Sequence, residues 1–112
     1  MRKIIFVDDD SLFLEILKHF FGSTPHCYVG DVRHIASVIA THGPFDGLVT
    51  DYNMPHQDGL ALAQWMHGAH PEMPIIVLSA HEKPDQVPDY IKIWILKPIN
   101  LDVLDQEIKK WT

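Results

Sequence analysis

The chain has 112 residues, 46% hydrophobic and 21% charged, the size of one domain able to bury about two-thirds of its extended surface. Its longest apolar runs are too short to span a bilayer, acid arrives at Asp8 before a signal-peptide stretch develops, and the single Cys27 excludes an intrachain disulfide. Nine Lys and Arg against 15 Asp and Glu give a net charge of −6 with no basic cluster, so direct binding to nucleic acid or to a membrane surface is not expected.

The apolar pattern alternates between short runs and helical stripes. Ile4-Ile5-Phe6-Val7 reads as a buried strand. Leu12, Phe13, Ile16, Leu17, Phe20 and Phe21 recur at helical spacing, with Asp10 or Ser11 as the cap and Gly22 at the stop. A weaker strand surrounds Cys27-Tyr28-Val29, and Ile35, Val38 and Ile39 mark a helix ending before Gly43-Pro44. Gly47-Leu48-Val49-Thr50 is the third strand. A loop from Asn53 to Gly59 precedes a helix carrying Leu60, Leu62, Ala63 and Met66. Ile75-Ile76-Val77-Leu78 and Ile93-Trp94-Ile95-Leu96 are the fourth and fifth strands, followed by a helix with Leu101, Leu104, Ile108 and Trp111.

Uninterrupted apolar strands alternating with amphipathic helices predict an α/β fold, a doubly wound parallel sheet covered on both faces. A single domain over residues 1–112, soluble and cytoplasmic, is expected. In such sheets functional groups gather beyond the carboxyl ends of the strands. Those positions hold Asp8 and Asp9 after the first strand, Asp51 after the third, Ser79 after the fourth and Lys97 after the fifth. Three carboxylates brought together repel one another and invite a hard divalent cation, best Mg²⁺. No Gly-rich phosphate loop follows the first strand, so metal, Lys97 and Ser79 must hold any phosphoryl group, and an aspartate can itself accept it. The eight histidines show no zinc spacing; His67 and His70, the only close pair, are split by Gly68-Ala69 and followed by Pro71.

Val7-Asp8-Asp9-Asp10, Asp51-Tyr52-Asn53-Met54-Pro55 with Asp58-Gly59, Ser79-Ala80 and Lys97-Pro98 resemble the response-regulator receiver domain of two-component signalling systems, over essentially the whole chain. The resemblance implies a five-stranded sheet of order 2-1-3-4-5. It implies Asp51 as phosphoacceptor and a Mg²⁺ site formed by Asp9, Asp51 and the Asn53 carbonyl, with Asp8 acting through water. Ser79, with Ala80 beside it, and Lys97 would take the phosphoryl oxygens, and Trp94 would be the switch aromatic. Asn53 and His81 would flank the path of attacking water and tune the lifetime of the acyl phosphate, and the Lys97–Pro98 bond would be cis. The donor would be a sensor histidine kinase or a histidine phosphotransfer protein. The readout would be binding to a downstream protein or self-association.

Two other readings stay open. A pseudo-receiver would keep the fold as a docking module without the chemistry. The D-x-D in Asp8-Asp9-Asp10 also resembles haloacid-dehalogenase phosphatases, although Leu12 replaces their Thr or Val and the late acidic pair is missing. The departure from the receiver pattern lies in residues 81–92, where Pro84 and Pro88 stand four residues apart. A proline inside a helix costs about 3 kcal/mol. The helix usual there is expected to be one turn or an extended loop, exposing Val87, Tyr90, Ile91 and Trp94 to a partner or a second copy.

Overall fold

A computed structural model of the chain describes residues 2–111. Its five strands are β1 (Ile4–Val7), β2 (Cys27–Val29), β3 (Gly47–Asp51), β4 (Ile75–Ser79) and β5 (Ile91–Leu96). All pair in parallel in the order β2-β1-β3-β4-β5, the expected doubly wound sheet. β1, β3 and β4 are buried along their whole length, which is why they read as continuous apolar runs rather than alternating ones.

The helices are α1 (Ser11–Phe21), α2 (Ile35–His42), α3 (Gly59–Ala69) and α4 (Leu101–Lys109), with one 3₁₀ turn at Val32–His34 leading into α2. Each long helix starts on a side-chain cap. Asp10 accepts from the N–H groups of Leu12 and Phe13, Asp58 from Ala61, and Asn100 from Asp102 and Val103. α1 stops at Gly22, whose φ of 92° suits glycine. Leu14 and Leu17 of α1 and Leu104 and Ile108 of α4 pack on Ile4, Phe6, Val49, Ile76 and Leu78 on one sheet face. Ile35 of α2 and Leu62, Ala63 and Met66 of α3 pack on Ile5, Val7, Leu48, Ile75 and Val77 on the other. Alternate residues of each strand thus feed two cores.

Between β4 and β5 no helix forms over residues 80–90. The chain runs as an irregular strap, as the two prolines require. The exposed patch expected from its loss does not appear. Ile91 is buried, and Val87, Tyr90 and Trp94 are half-buried against the core on the α2–α3 side. The strap covers the sheet itself, because two aromatic ties draw it in. The Trp94 indole N–H donates to the His81 carbonyl at 2.9 Å, and Tyr90 stacks on His67 of α3 at 4.1 Å between ring centres. The exposed large apolar side chains lie elsewhere, chiefly Leu12, Ile16 and Phe20 along α1.

β3 and β4 each run one residue further than the sequence reading, to Asp51 and Ser79, and two boundaries differ by more. β5 starts at Ile91, since Ile75 pairs with Ile91 but Ile76 with Ile93, and Lys92 is the extra residue of a bulge. α4 ends at Lys109, and Trp111 sits beyond it against Gly47, where a Cβ would collide with the indole.

At the opposite end from the acidic cluster, the Ile4 N–H donates to His26 Nδ1 at 3.0 Å. That nitrogen must be unprotonated to accept, and burial, helped by the Arg2 charge, holds the imidazole below its ordinary range. The unfolded chain therefore takes up this proton more readily than the folded one, so the bond supports the fold above about pH 6.5 and is lost as pH falls. His26→Leu is expected to cost about 1 kcal/mol at pH 8. The gap to the parent should close towards pH 5, as read from urea midpoints across that range.

Candidate functional site

Parallel register alone brings the charged strand ends together. Val7 pairs with Thr50, Asp51 with Leu78 and Ser79 with Leu96, so the residues that end or follow β1, β3, β4 and β5 share one edge. Asp8, Asp51 and Ser79 are 1%, 7% and 1% exposed, whereas Asp9 faces solvent. Carboxylate oxygens of Asp8, Asp9 and Asp51 lie within 4.8 Å of one another. The Lys97 ammonium reaches in from beyond β5, 3.0 Å from Asp51 Oδ1 and 3.2 Å from Asp8 Oδ2. Its other side lies over the Phe13 ring of α1, 5.0 Å from the centroid.

Backbone contacts fix these groups. The Asp10 N–H donates to Asp8 Oδ1 at 2.9 Å, which leaves Asp10 itself as the helix cap the spacing suggested. The Lys97 N–H donates to the Ser79 carbonyl at 2.7 Å, and the Lys97–Pro98 bond is cis, as the resemblance implies. The Gly59 N–H donates to the Tyr52 carbonyl at 2.7 Å, closing the loop after Asp51. A Cβ at Gly59 would stand 2.8 Å from Tyr52 Cα and press on the Asp51 carbonyl, so the Asp58-Gly59 pair supplies first a cap and then a close approach only glycine permits.

Burial raises the carboxyl of Asp51 to about 6, with the charge of Asp8 adding to it and Lys97 opposing it. Asp8 is raised by burial as well. Burial works against the Lys97 ammonium, but its hydrogen bond to Asp51 and the charges of Asp8 and Asp51 together outweigh it and lift Lys97. Three carboxylates face one ammonium, and hard, closely spaced oxygens of this kind fit Mg²⁺ better than a softer ion.

The remaining candidates form an outer ring. Asn53 is exposed two residues past Asp51, and Ala80 and His81 are exposed past Ser79. The His81 N–H donates to Ser79 Oγ at 2.9 Å, while its carbonyl takes the Trp94 indole. Trp94 also leans on Tyr52, with 5.3 Å between ring centres. Sequence reasoning assigned no site role to Phe13 or Tyr52. Phe13 counted only as one more apolar position of a helix, and nothing in its spacing reveals which distant cation will come to rest on its face.

The response regulator receiver domain family matches residues 4–109. The chain belongs to that family. The chemotaxis protein CheY of Pseudomonas aeruginosa is 29% identical over 96% of this chain and 94% of its own length. DegU of Brevibacillus brevis, a transcriptional regulatory protein, is 25% identical over 96% of this chain but only 48% of its own length. In fold, the receiver superposes on the response regulator TrrA of Thermotoga maritima, a complex with Mg²⁺-BeF, with a TM-score of 0.85 over all of both chains at 23% identity. CheY4 of Vibrio cholerae gives 0.82 over 100% of this chain and 99% of that one at 21% identity.

The raised Asp51 carboxyl has a stability consequence. Folded, it holds its proton up to about pH 6, against 3.8 for the ordinary group, so its contribution is fully present below about pH 3.8 and lost as pH rises through about 6. Asp51→Asn removes the ionised group, and in the absence of divalent ions it should stabilise the receiver by about 2 kcal/mol at pH 7.5. The gain should vanish by pH 4. Urea midpoints of both proteins at the two pH values decide this, and an equal gain at both would contradict the electrostatic cause.

Proposed function

We propose that residues 1–112 form a single receiver domain acting as a phosphoacceptor switch, with Asp51 taking a phosphoryl group from a phosphohistidine. The observation that carries this reading is the Asp51 carboxylate itself, grouped with Asp8 and Asp9 and held 3.0 Å from the Lys97 ammonium. An Asp51 oxygen attacks phosphorus in line as the N–P bond breaks. The bond's electron pair returns to the donor imidazole, which leaves neutral because its second nitrogen carries a proton. An O–P bond to Asp51 forms. Lys97 then faces the oxygens of the aspartyl phosphate, and the Ser79 hydroxyl turns towards them. Asp9, Asp51 and the Asn53 carbonyl would hold Mg²⁺, with Asp8 supporting it; when bound, the ion offsets the charge of carboxylates and phosphoryl group.

The donor is a sensor histidine kinase or a histidine phosphotransfer protein. A groove of about 280 Å³ between α1 and the Lys97–Leu101 segment, lined by Phe13, Ile16, Pro98, Ile99 and Leu101, supports docking of an apolar helix beside Lys97. The exposed Leu12, Ile16 and Phe20 extend that surface along α1. Among the described residues no helix is long and apolar enough to cross a membrane.

The readout runs through the strap. If Ser79 turns to the phosphoryl group, Oγ gives up the His81 N–H and the start of the strap reorganises under Trp94. A downstream protein or a second copy reads the altered surface. His81 and Asn53, beside the path of water to the acyl phosphate, would set its lifetime.

Incubation with Mg²⁺ and phosphoramidate should add the mass of one phosphoryl group to the parent and none to Asp51→Asn. Asp9→Asn should stay folded but lose Mg²⁺-dependent fluorescence change and labelling together. A folded parent that gains no mass would favour the docking module, and turnover of a phosphomonoester would favour the phosphatase. Among the described residues, 82–87 make no backbone-to-backbone hydrogen bond, the strap's one such bond there being Ile91 N–H to the Pro88 carbonyl at 3.1 Å. Hydrogen exchange over residues 82–87 should therefore be fast in the resting protein and slow on phosphorylation; equal rates in both states would place the readout elsewhere.

A further inference from the structure

Lys97 is the ammonium on which the acidic edge depends, and it sits on a flexible stem that keeps some contact with water. Two of its contacts are the carboxylates of Asp51 and Asp8. The third is the face of Phe13, where the ring's negative potential meets the cation at 5.0 Å. We propose that Phe13 is a positioning residue of the acceptor site, its ring face holding the Lys97 ammonium over Asp51. This rests on the phosphoacceptor reading above.

Phe13 is well fixed for such a task. Its N–H is capped by Asp10 Oδ1 at 3.2 Å, one turn after the acidic pair. Its side chain is half-buried against the α1–α4 core and forms one wall of the groove with Pro98 and Ile99. An aliphatic side chain would fill this wall of the groove as well as a ring does, as Ile16, Ile99 and Leu101 beside it show. What only the ring adds is a face that attracts a cation. That attraction also survives where the others weaken: any cation that offsets the charge of Asp8 and Asp51 loosens their hold on Lys97, but leaves the ring unchanged. The ammonium then stays in place to meet an incoming phosphoryl oxygen instead of swinging into solvent.

The test compares the full chain with Phe13→Leu, which keeps apolar bulk without the ring, and Phe13→Tyr, which keeps the ring. Calorimetry gives the affinity for beryllofluoride with Mg²⁺ and for Mg²⁺ alone, and mass spectrometry gives the rate of labelling by phosphoramidate. Phe13→Leu should weaken beryllofluoride binding and slow labelling three- to tenfold each, with Mg²⁺ affinity within twofold of the parent. Phe13→Tyr should restore both. Parent-like behaviour of Phe13→Leu would overturn the proposal. So would an equal loss of Mg²⁺ affinity that Phe13→Tyr fails to rescue, because that is a structural role. If Phe13→Leu does not fold, Phe13→Met replaces it. A double-mutant cycle with Lys97→Met, read as urea midpoints, tests the contact without any phosphoryl chemistry. Non-additive shifts support the proposal and additive shifts overturn it. A parent that binds neither beryllofluoride nor phosphoryl, with the cycle still non-additive, would sink the acceptor reading while leaving the Phe13–Lys97 contact intact.

Discussion

The structure depends on a crowding of like charge that the sheet enforces. Asp8 and Asp51 end up buried side by side because β1 and β3 are hydrogen-bonded neighbours, and no side-chain rotation can take either carboxylate far from the other. Water, which would screen such a pair on the surface, is largely excluded. Lys97 offsets part of the repulsion but not all of it, so the resting state keeps an unmet demand for positive charge. Everything around the edge holds that demand in place. The Gly59 close approach keeps the Asp51 backbone from retreating, and the Asp10 N–H ties down one oxygen of Asp8.

The strap between β4 and β5 is held more lightly than this edge. It lacks the repeating i to i−4 bonds of a helix, and its hold on the sheet comes from a few discrete ties. One of those ties, through His81, ends on Ser79, which lies at the acidic edge. A single residue thus joins the edge to the indole of Trp94 through its own N–H and carbonyl. A helix in this position would spread any displacement over a whole rigid body, whereas a strap can yield at one peptide.

Features set by local chemistry were legible in the sequence. The four-residue apolar runs, the cap at Asp10 and the proline block at Pro84 and Pro88 all act within a few residues of themselves. The acidic edge was legible too, because parallel topology sends every strand's carboxyl end to one side whatever the side chains do. What escaped was set by partners distant in sequence. The bulge at Lys92 follows from the pairing of β5 with β4, and composition gives no sign of it. The expected apolar patch failed for the same reason: Tyr90 found His67, and Trp94 found a carbonyl in the strap that was assumed to leave it bare. Phe13 was visible as core and invisible as a cation's seat.

Under the proposed acceptor role, the charge of the site also sets the condition under which Asp51 can react. A protonated carboxyl is a poor nucleophile, and with its titration pushed up to about 6 Asp51 lies much closer to that inactive form than an exposed aspartate would. Positive charge at the edge draws the proton off by favouring the ionised form, and Lys97 does this in part. In the proposed transfer the same charge is needed a moment later, when phosphoryl oxygens approach a site that would otherwise repel them. One electrostatic arrangement therefore serves both steps, provided the ammonium does not leave between them. A lysine held only by carboxylates would be freest when those carboxylates are neutralised, which is when it is needed. In the role proposed for Phe13, a neutral aromatic face beside it would remove that conflict, since its attraction for the ammonium does not depend on the carboxylates' charge.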